Sequence, residues 1–109
     1  MSYNIIATPY FRREIKKLSK KYPSLKTEFS SLISLLETTP QQGSALGLNC
    51  FKIRLAIRSK SKGKSGGARI ITCVKITETT VYLLYIFDKS DKETISNNEL
   101  FELLRNINL

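Results

Sequence analysis

Seven cationic side chains lie between residues 51 and 71, and this stretch contains no acidic residue. They are Lys52, Arg54, Arg58, Lys60, Lys62, Lys64 and Arg69. Such a local excess of positive charge attracts polyanions: nucleic acid, an acidic protein surface or a layer of membrane headgroups. Guanidinium groups bind phosphate through paired hydrogen bonds, so phosphate binding is one chemistry that this stretch supports. Charge alone does not choose among the three partners.

The length and composition predict a single domain. The chain has 109 residues, a net charge of +9 and a hydrophobic fraction of 41%, which suits one core but not two. No apolar run approaches the roughly 20 residues that would cross a bilayer, and the first residues lack the pattern of a secretory signal. We therefore expect one soluble domain over residues 1–109, located in the cytoplasm and not attached to a membrane.

The strand that carries the first cations alternates with a period of two. Apolar residues at 51, 53, 55 and 57 alternate with Lys52, Arg54 and Arg58 in the segment "FKIRLAIR". Successive side chains of a strand point to opposite faces of the sheet. One face of this strand should therefore enter the core, while the other displays the three cations.

Helical patterns precede this strand and end the chain. Thr8 and Pro9 mark the start of an amphipathic helix, Pro23 separates it from a second one, and Ser96 with Glu99 forms a capping box before the last. The cations on the outer side of the first helix should be solvated. The predicted fold is α+β: a small antiparallel β-sheet with an N-terminal helical hairpin on one face and a C-terminal helix, in the order β-α-α-β-β-β-α. The sheet face opposite the hairpin should stay open and basic.

Two cysteines, Cys50 and Cys73, fall within predicted strands. Their spacing does not match that of a metal site. We interpret them as reduced, half-buried small hydrophobic residues. A disulfide or redox switch is the alternative.

Several segments together resemble the RelE/ParE superfamily of bacterial toxins, and within it the HigB-like members of the RelE branch. The resemblance covers nearly the whole chain and includes "TPQQGSALG", "FKIRLA", the loop "SKGKSGGARII" and "LLYIFDKSDKETIS". It implies a type II toxin that cleaves mRNA on the ribosome and is held inactive by a cognate antitoxin. The alternative that it leaves open is a ParE-like toxin that inhibits DNA gyrase or another protein without cleaving RNA.

RNA cleavage must be feasible with the side chains present. It needs a base for the 2′-hydroxyl proton, cations around the phosphate and an acid for the leaving oxygen. The chain has no histidine, and its few acidic residues form no dense cluster for a two-metal mechanism. We therefore expect metal-independent chemistry with no cofactor, in which lysine serves because neighbouring cations disfavour its charged form.

The resemblance implies four catalytic residues. Lys52 and Arg54 match the basic pair on the second strand of RelE-like enzymes, Arg69 matches the arginine that enters the third strand, and Lys89 matches the basic residue after the fourth. The implied role of Lys52 is proton acceptor or oxyanion partner. Arg54 and Arg69 would clamp the phosphate, and Lys89 would act as the acid or as a second clamp.

Each of these positions also has a plainer interpretation. Lys52 and Arg54 would lie on any solvated strand face. Arg69 and Lys89 could form surface ion pairs with acidic neighbours at positions 88 or 91.

The chain also departs from the family pattern. Ser90 stands where several RelE-like enzymes have a further arginine, and no tyrosine lies near Ser96 to stack on a base. Tyr85 or Phe51 could replace that tyrosine, although both fit the core better.

The remaining cations suggest a surface for docking. Lys60, Lys62 and Lys64 alternate with serine and glycine, which suits a cationic loop between ribosomal RNA phosphates. Arg58 and Lys92 are further candidates for RNA or ribosome binding, and a hairpin tip that is basic only for solubility is the alternative. The expected partners are the ribosome, mRNA and an antitoxin of the helix-turn-helix type. The antitoxin would cover either the catalytic strands or a surface away from them.

Overall fold

One five-stranded sheet forms the centre of the fold. The computed structural model describes residues 2–60 and 66–107, with the side chain of Lys60 outside that description. In chain order the helices and strands are β1 (Asn4–Ala7), α1 (Pro9–Lys21), α2 (Leu25–Thr38), β2 (Ser44–Gly47), β3 (Cys50–Leu55), β4 (Ala68–Lys75), β5 (Thr80–Asp88) and α3 (Asn97–Arg105). The strands lie side by side in the order β1-β5-β4-β3-β2.

The predicted α+β class is confirmed, with two corrections to the sheet. The strand β2 was not predicted, because its four residues lie at an edge and are mostly exposed, which leaves no apolar alternation to detect. The sheet is also mixed, since β1 pairs in parallel with β5 whereas the other neighbouring strands are antiparallel. The last strand, β5, is an interior strand of the sheet, because it lies between β1 and β4.

The helical hairpin forms as its sequence signals indicate. The Thr8 hydroxyl accepts a hydrogen bond from the Phe11 N–H at 3.2 Å, and Pro9 occupies the first turn of α1. Buried side chains of α1, α2 and three strands then form what we call the hairpin-side core: Phe11, Leu25, Leu32, Leu36, Ile53, Ile57, Ala68, Ile70, Val74, Val81, Leu83 and Ile86. As predicted, the six cations on the other side of α1 are exposed.

The opposite face of the sheet is only partly open, because α3 packs across one end of it. The α3-side core consists of Cys50, Ile71, Cys73, Leu84, Phe87, Leu100, Leu103 and Leu104. The predicted capping box is present, since the Ser96 hydroxyl accepts from the Glu99 N–H and the Glu99 carboxylate accepts from the Ser96 N–H. The expectation that this whole face stays open was therefore wrong for the end that α3 covers.

The cysteines belong to that covered end. Both thiols are free, as predicted. They are fully rather than half buried, because α3 closes over the strands that carry them.

Within residues 2–60 and 66–107, every helix is too short or too polar to span a bilayer.

Candidate functional site

Two rows of side chains cross the end of the α3-side face that carries the cations. The strand register places Arg54 opposite Arg69 and Arg69 opposite Phe87. The next row contains Lys52, Ile71 and Tyr85. Two of the three predicted strand cations, Lys52 and Arg54, therefore lie beside Arg69 on one face.

The arginine pair is charged and partly desolvated. Arg69 is only 4% exposed, whereas its cross-strand partner Arg54 is exposed. Burial, and then the charge of Arg54, lower the pKa of the Arg69 guanidinium, while the charge of Glu93 acts in the opposite direction. The Arg69 side chain also donates to the Ala68 carbonyl at 3.1 Å, which fixes its position. A phosphate bound here would relieve the repulsion between the two guanidinium groups and would accept hydrogen bonds from both.

The segment that follows β5 contacts the lysines of the site. The Lys52 ammonium donates to the Thr94 hydroxyl at 3.4 Å, and the Lys89 ammonium pairs with the Glu93 carboxylate at 3.2 Å. The plainer interpretation of Lys89 as an ion-pair residue is thus correct in kind, although its partner is Glu93 rather than an acidic residue at 88 or 91. Sequence reasoning did not select Glu93, which is the carboxylate whose charge acts on Arg69.

Asp88 anchors this segment from the other side of the sheet. Its buried carboxylate accepts from the Tyr22 hydroxyl at 2.6 Å and from the Ser90 N–H at 2.9 Å, and Lys21 lies 3.9 Å away. Its backbone carbonyl accepts from two further residues of the turn. Sequence reasoning missed this role, although an acidic residue that ends the apolar run "YLLYIF" is a detectable signal.

Arg58 does not share the strand face with Lys52 and Arg54, and that prediction was wrong. The chain leaves β3 after Leu55, and the Glu28 carboxylate of α2 accepts from the Arg58 N–H at 2.6 Å. The next residue, Ser59, exchanges hydrogen bonds with Ser24 at 2.9 and 3.0 Å. The start of the cationic loop is therefore held against the helical hairpin. The Lys60 side chain, Lys62 and Lys64 lie outside the described residues.

The remaining candidates lie at the side of the site near α3. Lys92 forms an ion pair with Glu99, and its ammonium lies 5.5 Å from the centre of the Tyr85 ring. Tyr85 in turn stacks on Tyr10 at 5.1 Å and contacts Phe87 at 5.2 Å. Because its ring is occupied in this way, Tyr85 is poorly placed to stack on a nucleobase. Phe51, the other candidate, packs against the hairpin-side core on the opposite face.

A groove of about 390 Å³ adjoins the basic residues. Lys52 and Arg54 line it together with neighbouring residues of β3, with both polar and apolar residues of α2, and with residues 42–44. Its volume lies in the range of about 300–1,000 Å³ that small-molecule sites occupy. In the part of the chain that the structure describes, no group of three or more Cys, Asp or Glu side chains is arranged to hold a metal ion.

Comparison with known proteins agrees with this architecture. The chain matches the model of the family described as the RelE toxin of the RelE / RelB toxin-antitoxin system over residues 7–107. Among solved structures it is similar to a mutant of the E. coli toxin RelE in the free state, with 16% identity, complete coverage of both chains and a TM-score of 0.63. The isolated E. coli RelE toxin is a second match, with 18% identity, coverage of 95% of this chain and 98% of that one, and a TM-score of 0.54. A search of curated proteins finds no match. The family match covers nearly the whole chain, and we conclude that this protein belongs to the RelE toxin family.

Proposed function

We propose that this RelE-family toxin inhibits translation by cutting mRNA on the ribosome, without a metal ion. The observation that carries the proposal is the cross-strand pair Arg54 and Arg69 beside Lys52 on one open sheet face. Three neighbouring cations on two paired strands suit the pentacoordinate phosphate of RNA cleavage, whose negative charge exceeds that of the substrate.

The roles follow from position and chemistry. Arg54 and Arg69 bind the phosphate oxygens, and Arg69 is the more rigid of the two because it is buried and hydrogen-bonded. Lys52 lies in the adjacent row, where it accepts the proton of the 2′-hydroxyl or stabilises the oxyanion. Lys89 supplies the proton to the leaving oxygen or contacts the phosphate. In that role it would exchange its present partner, Glu93, for the RNA.

Docking is assigned to a second set of cations. Lys60, Lys62 and Lys64 fall between β3 and β4 in the sequence and would contact ribosomal RNA phosphates. Ser24 and Glu28 accept hydrogen bonds from the backbone N–H groups of Ser59 and Arg58, and these bonds support this role because they hold the chain against α2 where it leaves β3. Arg58 and Lys92 would add phosphate contacts beside it.

The family match also implies an antitoxin partner. A toxin with a net charge of +9 should bind an acidic or amphipathic segment of that partner. We propose that the antitoxin is of the helix-turn-helix type and that it binds away from Lys52, Arg54 and Arg69. Hydrogen exchange of the complex tests the second point, because protection confined to residues 51–71 would contradict it.

The test of the activity compares the same RNA with and without ribosomes. We expect the purified protein to leave naked mRNA largely intact and to cut it when it is bound to ribosomes. Equal cleavage of the free RNA would contradict the ribosome dependence. Gyrase-linked DNA breaks with intact mRNA would support the ParE-like alternative instead.

A further inference from the structure

The two cysteines of the chain face each other across neighbouring strands. Cys50 on β3 lies directly opposite Cys73 on β4. The flanking Asn49 carbonyl accepts from the Val74 N–H at 2.9 Å, which makes Cys50 and Cys73 a non-hydrogen-bonded pair of the antiparallel ladder. Cα atoms of such pairs are about 4.5 Å apart, which lies within the range of about 4.4–6.8 Å that disulfides span.

The two thiols already interact. The Cys50 Sγ donates to the Leu48 carbonyl oxygen at 3.5 Å, and each thiol alters the pKa of the other. Both sulfur atoms are thus held on the same side of the sheet, under α3. No backbone movement between the strands is needed to bring them together.

We propose that Cys50 and Cys73 form a redox site, a dithiol that hydrogen peroxide converts into a cross-strand disulfide. The Cys73 thiolate attacks one peroxide oxygen, the O–O bond breaks, and hydroxide leaves as water, which gives a sulfenic acid. The Cys50 sulfur then attacks the Cys73 sulfur, the S–O bond breaks, and a second water leaves. Two thiols are oxidised by two electrons in total, and one peroxide is reduced to two waters.

The order of the two steps follows from the surroundings of each thiol. The neighbouring Cys50 thiol, and also the charge of Lys75, lower the pKa of Cys73, whereas burial opposes both. The Cys73 thiol, together with burial, raises the pKa of Cys50. The geometry points in the same direction, because the Cys50 thiol donates its proton to the Leu48 carbonyl, whereas Lys75 lies two residues from Cys73 on the same strand. Because the thiolate is the nucleophile, Cys73 reacts first and Cys50 resolves.

The burial of both thiols limits which oxidants can reach them. Cys50 and Cys73 are 0% and 1% exposed, and Leu100, Leu103 and Leu104 of α3 belong to the same core. A bulky disulfide reagent cannot reach the sulfurs without displacing α3. Hydrogen peroxide is close to water in size and can reach them through small fluctuations of the fold.

The disulfide would close a ring that contains the whole basic region. Residues 50 and 73 enclose the cationic loop together with Lys52, Arg54 and Arg69. A cross-link that closes a loop of this length restricts the unfolded chain. We therefore expect oxidation to raise the Tm by on the order of 10 °C. The redox site is separate from the phosphate site, so its test does not depend on ribonuclease activity.

The experiment treats the folded, reduced protein with hydrogen peroxide and follows free thiols, peptide masses and Tm. We expect both thiols to disappear together, a peptide that links residues 50 and 73, a monomer on non-reducing gels, and reversal by dithiothreitol. Thiols that stay reduced at a dose that oxidises the unfolded chain would overturn the proposal. Disulfide-linked dimers, or sulfinic acid at Cys73 in place of the cross-link, would also overturn it.

Single variants test the assigned order. In Cys50→Ala, Cys73 should give a sulfenic acid that dimedone traps when the treated protein is unfolded in its presence, and peroxide should not raise the Tm. In Cys73→Ala, Cys50 should react at least tenfold more slowly. Faster trapping of Cys50 than of Cys73 would contradict the order. If a variant fails to fold, the linked peptide and the Tm shift of the unaltered protein still decide whether the disulfide forms.

Discussion

The two ends of the α3-side face have similar strands but different surroundings. At one end, Cys50 and Cys73 pair across β3 and β4 beneath α3. At the other, open end, the exposed Arg54 occupies an equivalent position opposite Arg69, whose side chain is buried. Along β3 the side chains on this face pass from buried Cys50 through half-buried Lys52 to exposed Arg54.

This difference shows that strand alternation alone does not separate a core from a binding surface. Period-two alternation assigns Cys50, Lys52 and Arg54 to one face equally. The position of α3 then decides which of them stabilise the fold and which remain available to an anion. We therefore expect substitutions at the covered end to reduce stability and substitutions at the open end to reduce activity.

The largest effect should come from replacing the cations at the open end of the face. Replacing Lys52 and Arg54 together by alanine should lower cleavage of ribosome-bound mRNA by at least about 10²-fold, the usual cost of one lost oxyanion donor. Ribosome binding should change little, because the loop lysines remain. Single-turnover cleavage and ribosome co-sedimentation measure the two properties.

The matched control is Lys16→Ala with Lys20→Ala, which removes the same charge from exposed positions of α1. If this control loses as much cleavage as the double variant of β3, the effect is one of overall charge and the assignment of the site is wrong.

At the covered end, Leu100→Ala should destabilise the fold. Leu100 is 3% exposed in the α3-side core, and truncation of a buried leucine costs about 2–5 kcal/mol. Arg54→Ala, at the open end, should change the free energy of unfolding by no more than about 0.5 kcal/mol. Urea denaturation of both variants tests the contrast, and equal destabilisation would remove the distinction between the two ends.

A smaller effect is expected from the three lysines between β3 and β4 in the sequence. Replacing Lys60, Lys62 and Lys64 by glutamine should weaken ribosome binding and reduce the slope of log K against log salt by about 2, since each RNA phosphate contact contributes about 0.7. Binding measured at several salt concentrations gives this slope. An unchanged slope would exclude the loop from docking.

The smallest effect should come from the start of α3, where the Glu99 carboxylate contacts Lys92 and the Ser96 N–H. The hydrogen bond from Lys92, and then that from the Ser96 backbone, lower the pKa of Glu99 below its usual value of 4.5. Ionised Glu99 thus contributes stability that is complete above pH 4.5 and is lost as the pH falls through its lower folded pKa. Thermal melts of Glu99→Gln should therefore depend less on pH below 4.5 than those of the unaltered protein. An identical acid dependence would show that this contact contributes nothing.

Features with local signals could be predicted from the sequence. Thr8 with Pro9, and Ser96 with Glu99, mark helix starts that depend only on neighbouring residues. The alternation in β3 likewise assigned its apolar residues to the core. The basic cluster was placed by the resemblance to the family, and the strand register then brought Arg54 opposite Arg69.

Features that depend on distant contacts could not be predicted. The parallel pairing of β1 with β5 joins residues that are more than 70 positions apart. Arg58 lies off the strand face because the Glu28 carboxylate accepts a hydrogen bond from its backbone N–H. Asp88 anchors the segment after β5, and its carboxylate accepts a hydrogen bond from the Tyr22 hydroxyl. In each case the partner lies far away in the sequence, and no local pattern identifies it.

The most direct test of the central claim is to map the 5′ ends of cellular mRNA after the toxin is induced. We expect growth arrest with new 5′ ends inside translated regions, and loss of both when Lys52 and Arg54 are replaced by alanine. Growth arrest with intact mRNA, or arrest that persists unchanged in the double variant, would contradict the claim that the open end of the sheet cleaves RNA.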